Sequence, residues 1–327
     1  MTRKCNHSLL EKAKYNKKDE FYTQLIDIEN ELSYYEEAFF GKVVYCNCDD
    51  VKHSNFFKYF VSNFTKLGLK KLICACYKES SLFNPQCGYY YEYNGSSSTE
   101  LDLTKIKNFN GNGDFRSKES IALLKQADIV VTNPPFSLFR EYISQLVEYK
   151  KKFLIISNVN AITYKEVYSL IKKNKLWLGV NLGRGISGFI VPKEYELYGL
   201  ETKINKFGER IISPNNCMWL TNINHSKPRG FINLTERYIG NELKYPHYDN
   251  FDGIHIDKTK NIPYDYDGVM GVPLTFLHQF NPEQFEIIQF RKGDDGKDLK
   301  INGKAPFFRI LVRNKKYIQN CNNKQTS

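Results

Sequence analysis

The sequence predicts an α/β fold: a mainly parallel sheet with helices on both faces. Three observations predict it. Short apolar, β-branched runs alternate with segments of helical period over the first two-thirds of the chain. The loops between them carry the cap and turn residues of strand-to-helix connections. One loop, Asn133-Pro134-Pro135-Phe136, follows the strand-like Ala127-Asp128-Ile129-Val130-Val131-Thr132 and precedes a helical stripe, with Ser137 as the expected N-cap. It therefore stands at the carboxyl end of a strand, where open α/β sheets place their ligands.

Taken in order, residues 1–18 form a basic arm, followed by Asp19-Glu20-Phe21-Tyr22-Thr23-Gln24. The periodicity predicts a helix over 25–40, ended by Gly41, and a first strand over 42–48. Asp49 and Asp50 follow, then a helix over 54–64 and a strand over 71–77. Glu79 opens a polar stretch, and residues 89–93 are expected to form a small hairpin with 101–103. Gly113-Asp114-Phe115 is a glycine turn, and Ser117 caps a helix leading into the strand before Asn133. Beyond it come a strand at 153–157, a helix at 164–173 and strands at 177–182, 189–191 and 217–223, with a turn at 207–209. After residue 224 the texture turns to Asn, Asp, Tyr, Pro and Gly, and a helix over 282–290 is its clearest expected element. The expected division is 1–18 as the arm, 19–223 as a catalytic domain and 224–327 as a recognition region.

Composition narrows the class. The chain has 327 residues, 41% apolar and 15% aromatic, enough for a sizeable core in one large or two ordinary domains. No apolar run is long enough to span a bilayer, and the N-terminus lacks the apolar stretch of a secretory signal, so a cytoplasmic location is expected. The net charge of +11 is uneven. Residues 1–18 carry six Lys/Arg against one Glu, residues 224–327 sixteen against twelve, and the middle is nearly balanced. Basic ends around a balanced body fit a polyanion gripped from outside a pocket. The eight cysteines read as buried free thiols. Cys46/Cys48 and Cys74/Cys76 lie on strand-like runs, and neither a C-x-x-C knuckle nor a His at ligand spacing marks a metal site.

The loop at 133–136 implies a specific chemistry. The residue before a proline is pushed to an extended backbone, and two prolines fix φ and remove two donors. A rigid pair of acceptors remains, the Asn133 side-chain oxygen and the Pro134 carbonyl. A planar amine donating both hydrogens to them turns its lone pair out of the ring plane, and Phe136 can stack on that ring. This resembles the catalytic motif of S-adenosylmethionine-dependent amino-methyltransferases, which act on adenine N6, cytosine N4 or a glutamine amide. Carboxylates at strand ends suit the ribose and amine of such a cofactor, which singles out Asp49, Asp50 and Glu79. Asp114 is placed to accept from the cofactor's adenine.

The stretches 19–24, Tyr45-Cys46-Asn47-Cys48-Asp49-Asp50, 113–117, 128–139, 179–192, 211–216 and 268–285 together resemble the EcoRI-type modification methyltransferases over nearly the whole chain. The resemblance implies a Rossmann-like methyltransferase sheet and a C-terminal region that reads DNA. It also implies adenine-N6 methylation of a short, GAATTC-like duplex site in a restriction–modification system. Catalysis would then rest on Asn133, Pro134, Pro135 and Phe136, with Phe21, Tyr22, Thr23, Asn47, Asp49, Asp50, Glu79 and Asp114 on the cofactor. A monomer is expected, with double-stranded DNA as partner and a cognate endonuclease that shares the site without needing to bind. Cys46-Asn47-Cys48-Asp49-Asp50 departs from the glycine-rich first loop of the wider methyltransferases. The alternatives are an RNA or protein-glutamine methyltransferase, or an inactive DNA-binding regulator on the same fold.

Overall fold

A computed structural model describes residues 22–78, 86–95, 102–181, 186–191, 202–213, 216–226, 230–291, 298–305 and 308–315. The basic arm, Phe21 and Glu79 lie outside these residues. The chain divides into two compact units, one of residues 1–166 and 178–227, the other of 167–177 and 228–327.

In the first unit the strands are β1 (Tyr22–Thr23), β2 (Val43–Cys46), β3 (Lys71–Cys76), β4 (Tyr89–Tyr93), β5 (Lys107–Asn108), β6 (Ile129–Thr132), β7 (Lys152–Asn158), β8 (Trp177–Leu178), β9 (Phe189–Val191), β10 (Thr202–Ile204), β11 (Arg210–Ile212) and β12 (Cys217–Thr221). The helices are α1 (Leu25–Leu32), α2 (Asn55–Ser62), α3 (Lys118–Gln126) and α4 (Phe139–Glu148), with α5 (Lys165–Lys172) beyond. One sheet runs β5-β4-β3-β2-β6-β7-β12-β8. Its central pairs β3–β2, β2–β6 and β6–β7 are parallel, whereas β4, β5 and β12 join antiparallel. The fold is therefore mixed α/β, and the parallel part is narrower than the strand–helix alternation predicts. The parallel part is confined to β3-β2-β6-β7, with the antiparallel strands β4 and β5 on one side and β12 on the other.

The parallel strands are buried on both faces, which is why they read as continuous apolar runs. Val44, Cys46, Ile129, Val131, Leu154 and Ile156 alternate into one core with Ile28 and Leu32 of α1 and Phe56, Phe57 and Phe60 of α2. The intervening Tyr45, Val130, Phe153 and Ile155 point to the opposite face and are equally buried. Ser54 and Ser117 cap α2 and α3 by accepting from the N–H groups of Phe57 and Ser120. The first helix becomes 3₁₀ at Ser33–Phe39, and Gly41 turns the chain at φ 69°.

Three local expectations are corrected. Ser137 caps nothing: Phe136–Leu138 form a 3₁₀ turn closed by the Leu138 N–H on the Pro135 carbonyl, and α4 begins at Phe139. β4 pairs with β3 and with β5 at 107–108; residue 101 of the expected partner 101–103 lies outside the described residues. Most of the helix expected over 282–290 is instead the strand β16 (Phe285–Arg291) described next.

The second unit holds β13 (His247–Tyr248), β14 (Phe251–His255), β15 (Met270–Val272), β16 (Phe285–Arg291) and β17 (Arg309–Asn314) in the order β13-β14-β15-β17-β16. Short apolar runs fit a strand and a buried helix equally well, and the long antiparallel pairing with β17 decides for β16, through a bulge between Ile287 and Gln289. Tyr168 stacks on Phe290 at 5.5 Å, and the Lys172 ammonium donates to the Ile288 carbonyl at 2.6 Å, which ties residues 167–177 into this unit.

Candidate active site

The chain passes from β2 through α2 to β3 on one side of β2, and later from α3 to β6 on the other. The crevice between the carboxyl ends of β2 and β6 is thus a topological switch point, the place where such sheets bind ligands. Asn47, Asp49 and Asp50 follow β2 there, and Asn133 follows β6.

A hydrogen-bond network joins the two loops. The Thr132 hydroxyl, fully buried beside Asn133, donates to Asp49 Oδ2 at 2.5 Å, and the Ser54 hydroxyl donates to Asp49 Oδ1 at 2.8 Å. Asp49 is buried, and desolvation lifts its carboxyl to about 6 against those two hydrogen bonds. The Tyr142 hydroxyl on α4 donates to the buried Asn47 Oδ1 at 2.5 Å. Burial holds the Tyr142 hydroxyl and the Cys48 thiol well above their ordinary values, so both are neutral. The helix after the Asn133–Phe136 turn and the helix after β2 thus both clamp the first loop.

Asp50 is set differently. Its Oδ1 accepts from the Tyr89 hydroxyl at 2.7 Å and the Lys52 N–H at 2.9 Å, and its Oδ2 lies 3.2 Å from the Lys78 ammonium. Burial pushes this carboxyl up, but the two hydrogen bonds and the lysine charge outweigh it and leave the group below the usual range, ionised. Asp114 is half-buried and held by Arg116 through bonds of 2.9 and 2.7 Å, and this pairing lowers its carboxyl as well. Its neighbour Gly113 has φ 78°, and a Cβ there would stand 2.7 Å from the Cys76 carbonyl. Glycine thus lets the Asp114 turn close onto the end of β3.

The N-terminal segment reaches the same place through a second sheet, β1-β9-β11-β10. Asn55 at the start of α2 donates to the Thr23 carbonyl at 2.8 Å. Thr23 is paired across the ladder with Phe189, whose ring meets that of Phe136 with centroids 6.3 Å apart. Tyr22, Thr23, Asn47, Asp49, Asp50, Asn133, Pro134, Pro135 and Phe136 are therefore linked by direct contacts or chain adjacency, and Asp114 adjoins through the β3 end.

Sequence reasoning missed Thr132, Ser54, Tyr142, Tyr89, Lys78, Asn55 and Phe189. Thr132 carried a usable signal, a hydroxyl at the end of an otherwise apolar strand. Phe189 carried none, because its role depends on a pairing with a residue far away in the chain. Among the described residues no group of three or more His, Cys, Asp or Glu is arranged to hold a metal ion.

The turn Asn133-Pro134-Pro135-Phe136 thus stands at the end of β6 beside a cluster of acidic and polar side chains. Comparison with known proteins gives the class. The family described as Adenine-specific methyltransferase EcoRI matches residues 9–316. The type II methyltransferase M.EcoRI of Escherichia coli is 63% identical over 323 residues, covering 97% of this chain and 99% of that protein. M.MgeORF184P of Mycoplasma genitalium is 38% identical, covering 92% of this chain and 97% of its own. M.MpnI of Mycoplasma pneumoniae is 37% identical, covering 94% and 98%. No solved structure matches significantly. The chain belongs to the EcoRI family of adenine-specific methyltransferases and is an enzyme of the restriction–modification class.

Proposed function

We propose that the chain transfers a methyl group from S-adenosylmethionine to N6 of an adenine in a short duplex DNA site, GAATTC or close to it, and so protects that site from a cognate endonuclease. The observation that carries the reading is Asn133-Pro134-Pro135-Phe136 at the switch point of the sheet, fixed from below by Thr132 on Asp49. We read the eight-stranded sheet as the Rossmann-like core of the catalytic domain and the unit containing residues 228–327 as the recognition region. The enzyme acts as a monomer, since one strand is modified per event and the endonuclease need only share the site.

N6 is paired within the duplex, so the adenine is extruded into the pocket. Asn133 Oδ1 and the Pro134 carbonyl accept the two N6 hydrogens, Pro135 fixes the turn, and Phe136 stacks on the ring. The N6 lone pair is thereby freed from the ring and aimed at the donor. When bound, S-adenosylmethionine supplies a methyl group on a sulfonium, an electrophile that needs no strong general base, and the methylated amine then sheds a proton to water. Alignment and electrostatics are the enzyme's contribution.

The residues present fit that donor. Ionised Asp50 suits hydroxyls, Asp114 suits an exocyclic amine, and Tyr22 and Thr23, with Phe21 before them, suit the amino-acid end. Asn47 and Asp49 are engaged by Tyr142 and by Thr132 and Ser54, so they shape the wall of the pocket. Glu79 completes the cofactor set. The test is to offer labelled S-adenosylmethionine with duplex DNA, RNA and protein in turn. Label on N6 of duplex adenine is expected; label on RNA or on a glutamine amide instead would overturn the reading.

A further inference from the structure

The hairpin of β10 and β11 has no role in the chemistry above, yet it grows out of the sheet that covers the catalytic turn. Residues paired across antiparallel strands share a face. Phe189, which touches Phe136, is paired with Ile212. Two residues further along, about 7 Å away, Val191, Arg210 and Ile204 are paired and point to that same face. Along it burial falls off steadily. Phe189 and Ile212 are buried, Arg210 is half-buried, and Ile204 is 73% exposed.

The tip is built to hold its shape. Asn205 Oδ1 accepts from the N–H groups of Phe207 and Glu209, both at 2.9 Å, its Nδ2 donates to Glu209 at 2.7 Å, and Gly208 closes the turn at φ 77°. This presents Phe207 with 75% of its surface exposed and the Lys206 ammonium 5.0 Å from its ring centroid. A lone exposed aromatic is ordinary. Here it is joined by exposed Ile204, by exposed Lys203 and Lys206, and by a sheet anchored at Phe136. Apolar wedges flanked by cations are how proteins unstack base steps, and extruding a base opens such a step.

We propose that this hairpin is a DNA wedge, with Phe207 set against the base stack beside the extruded adenine and Lys203 and Lys206 on the flanking phosphates. The inference rests on the reading of duplex adenine as the substrate. It assigns a base-opening role to a hairpin of the catalytic unit, separate from the basic arm and the C-terminal region.

The test uses the full chain and two duplexes built on the methylated site, one fully paired and one mismatched at the target adenine. Phe207→Ala should weaken binding to the paired duplex about tenfold, the scale of one lost stacking contact. The loss should be much smaller on the mismatched duplex, whose base is already loosened. Phe207→Trp should restore the paired-duplex affinity. Lys203→Gln with Lys206→Gln should reduce the salt slope by about two. Equal affinity of wild type and Phe207→Ala on both duplexes, with wild-type methylation intact, overturns the wedge and leaves the substrate reading standing. A wild type that methylates no duplex adenine overturns both.

Discussion

Asp49 ties the strand end before Asn133 to the first loop through Thr132, and its environment makes that bond pH-sensitive. Burial lifts the carboxyl to about 6, so the folded state favours the neutral acid. The associated stability is fully present below the unfolded carboxyl's value and is lost as pH rises through about 6. The span amounts to about 3 kcal/mol. Asp50, Cys46, Cys48, Cys74 and Tyr142 are the titratable groups around it, and the thiols and phenol stay neutral over this range. Asp49→Asn should therefore gain on the wild type between about pH 4 and 6, with the gap constant above about 7. Urea midpoints across that range check it, and a gap that does not move with pH would show that Asp49 is ionised throughout. At the same scale, Phe136→Ala should weaken capture of the extruded base by about 1–3 kcal/mol while leaving cofactor affinity unchanged. The fluorescence of 2-aminopurine at the target position reports it, and an unchanged signal with unchanged turnover would remove Phe136 as the stacking platform.

At the scale of elements, the pocket depends on how β1 is fastened. Two residues of strand hold little by themselves. β1 is kept by its ladder with β9 and by Asn55 on the Thr23 carbonyl. Asn55→Ala should weaken donor binding about fivefold, one modest hydrogen bond, and leave DNA affinity alone. Calorimetric titration with S-adenosylmethionine measures the first and anisotropy the second; loss of DNA affinity in place of cofactor affinity would reassign the segment. Strands buried on both faces and helices opened by Ser54 and Ser117 were legible in the sequence, because burial and capping leave local signatures. β1 and the β16–β17 ladder were not, and β9 was legible as a strand at 189–191 but not in its partners. Short strands are defined by their partners, and the partner of Thr23 lies more than 160 residues away. The turn Asn133-Pro134-Pro135-Phe136 was legible for the opposite reason, since its rigidity comes from its own two prolines.

For the whole molecule, the division into units bears on where specificity resides. Residues 167–177 group with 228–327 although most of the first unit's chain surrounds them in sequence. A graft of residues 228–327 from a relative with another target should therefore fold well only when 167–177 is exchanged with it, since Tyr168 and Lys172 pack on β16. The complete graft should methylate the donor's site. If it keeps the original site, recognition lies in loops of the first unit. Neutralising Lys12, Lys14, Lys17 and Lys18 should lower affinity for all DNA about equally and flatten its salt dependence. Binding isotherms over a salt series on specific and random duplexes distinguish this from a role in site choice, which would show as a loss on the specific duplex alone.

On the proposed reading, Asn133 aligns an adenine N6 of duplex DNA for methyl transfer. It is tested most directly by the modified-base map of DNA from cells expressing the wild type or Asn133→Ala. N6-methyladenine at one adenine of a GAATTC-like site is expected in the wild type. At least a hundredfold less is expected in the variant, about the loss from removing one preorganised hydrogen bond. N4-methylcytosine, an absence of modified adenine in the wild type, or a variant retaining more than about a tenth of the methylation would contradict it.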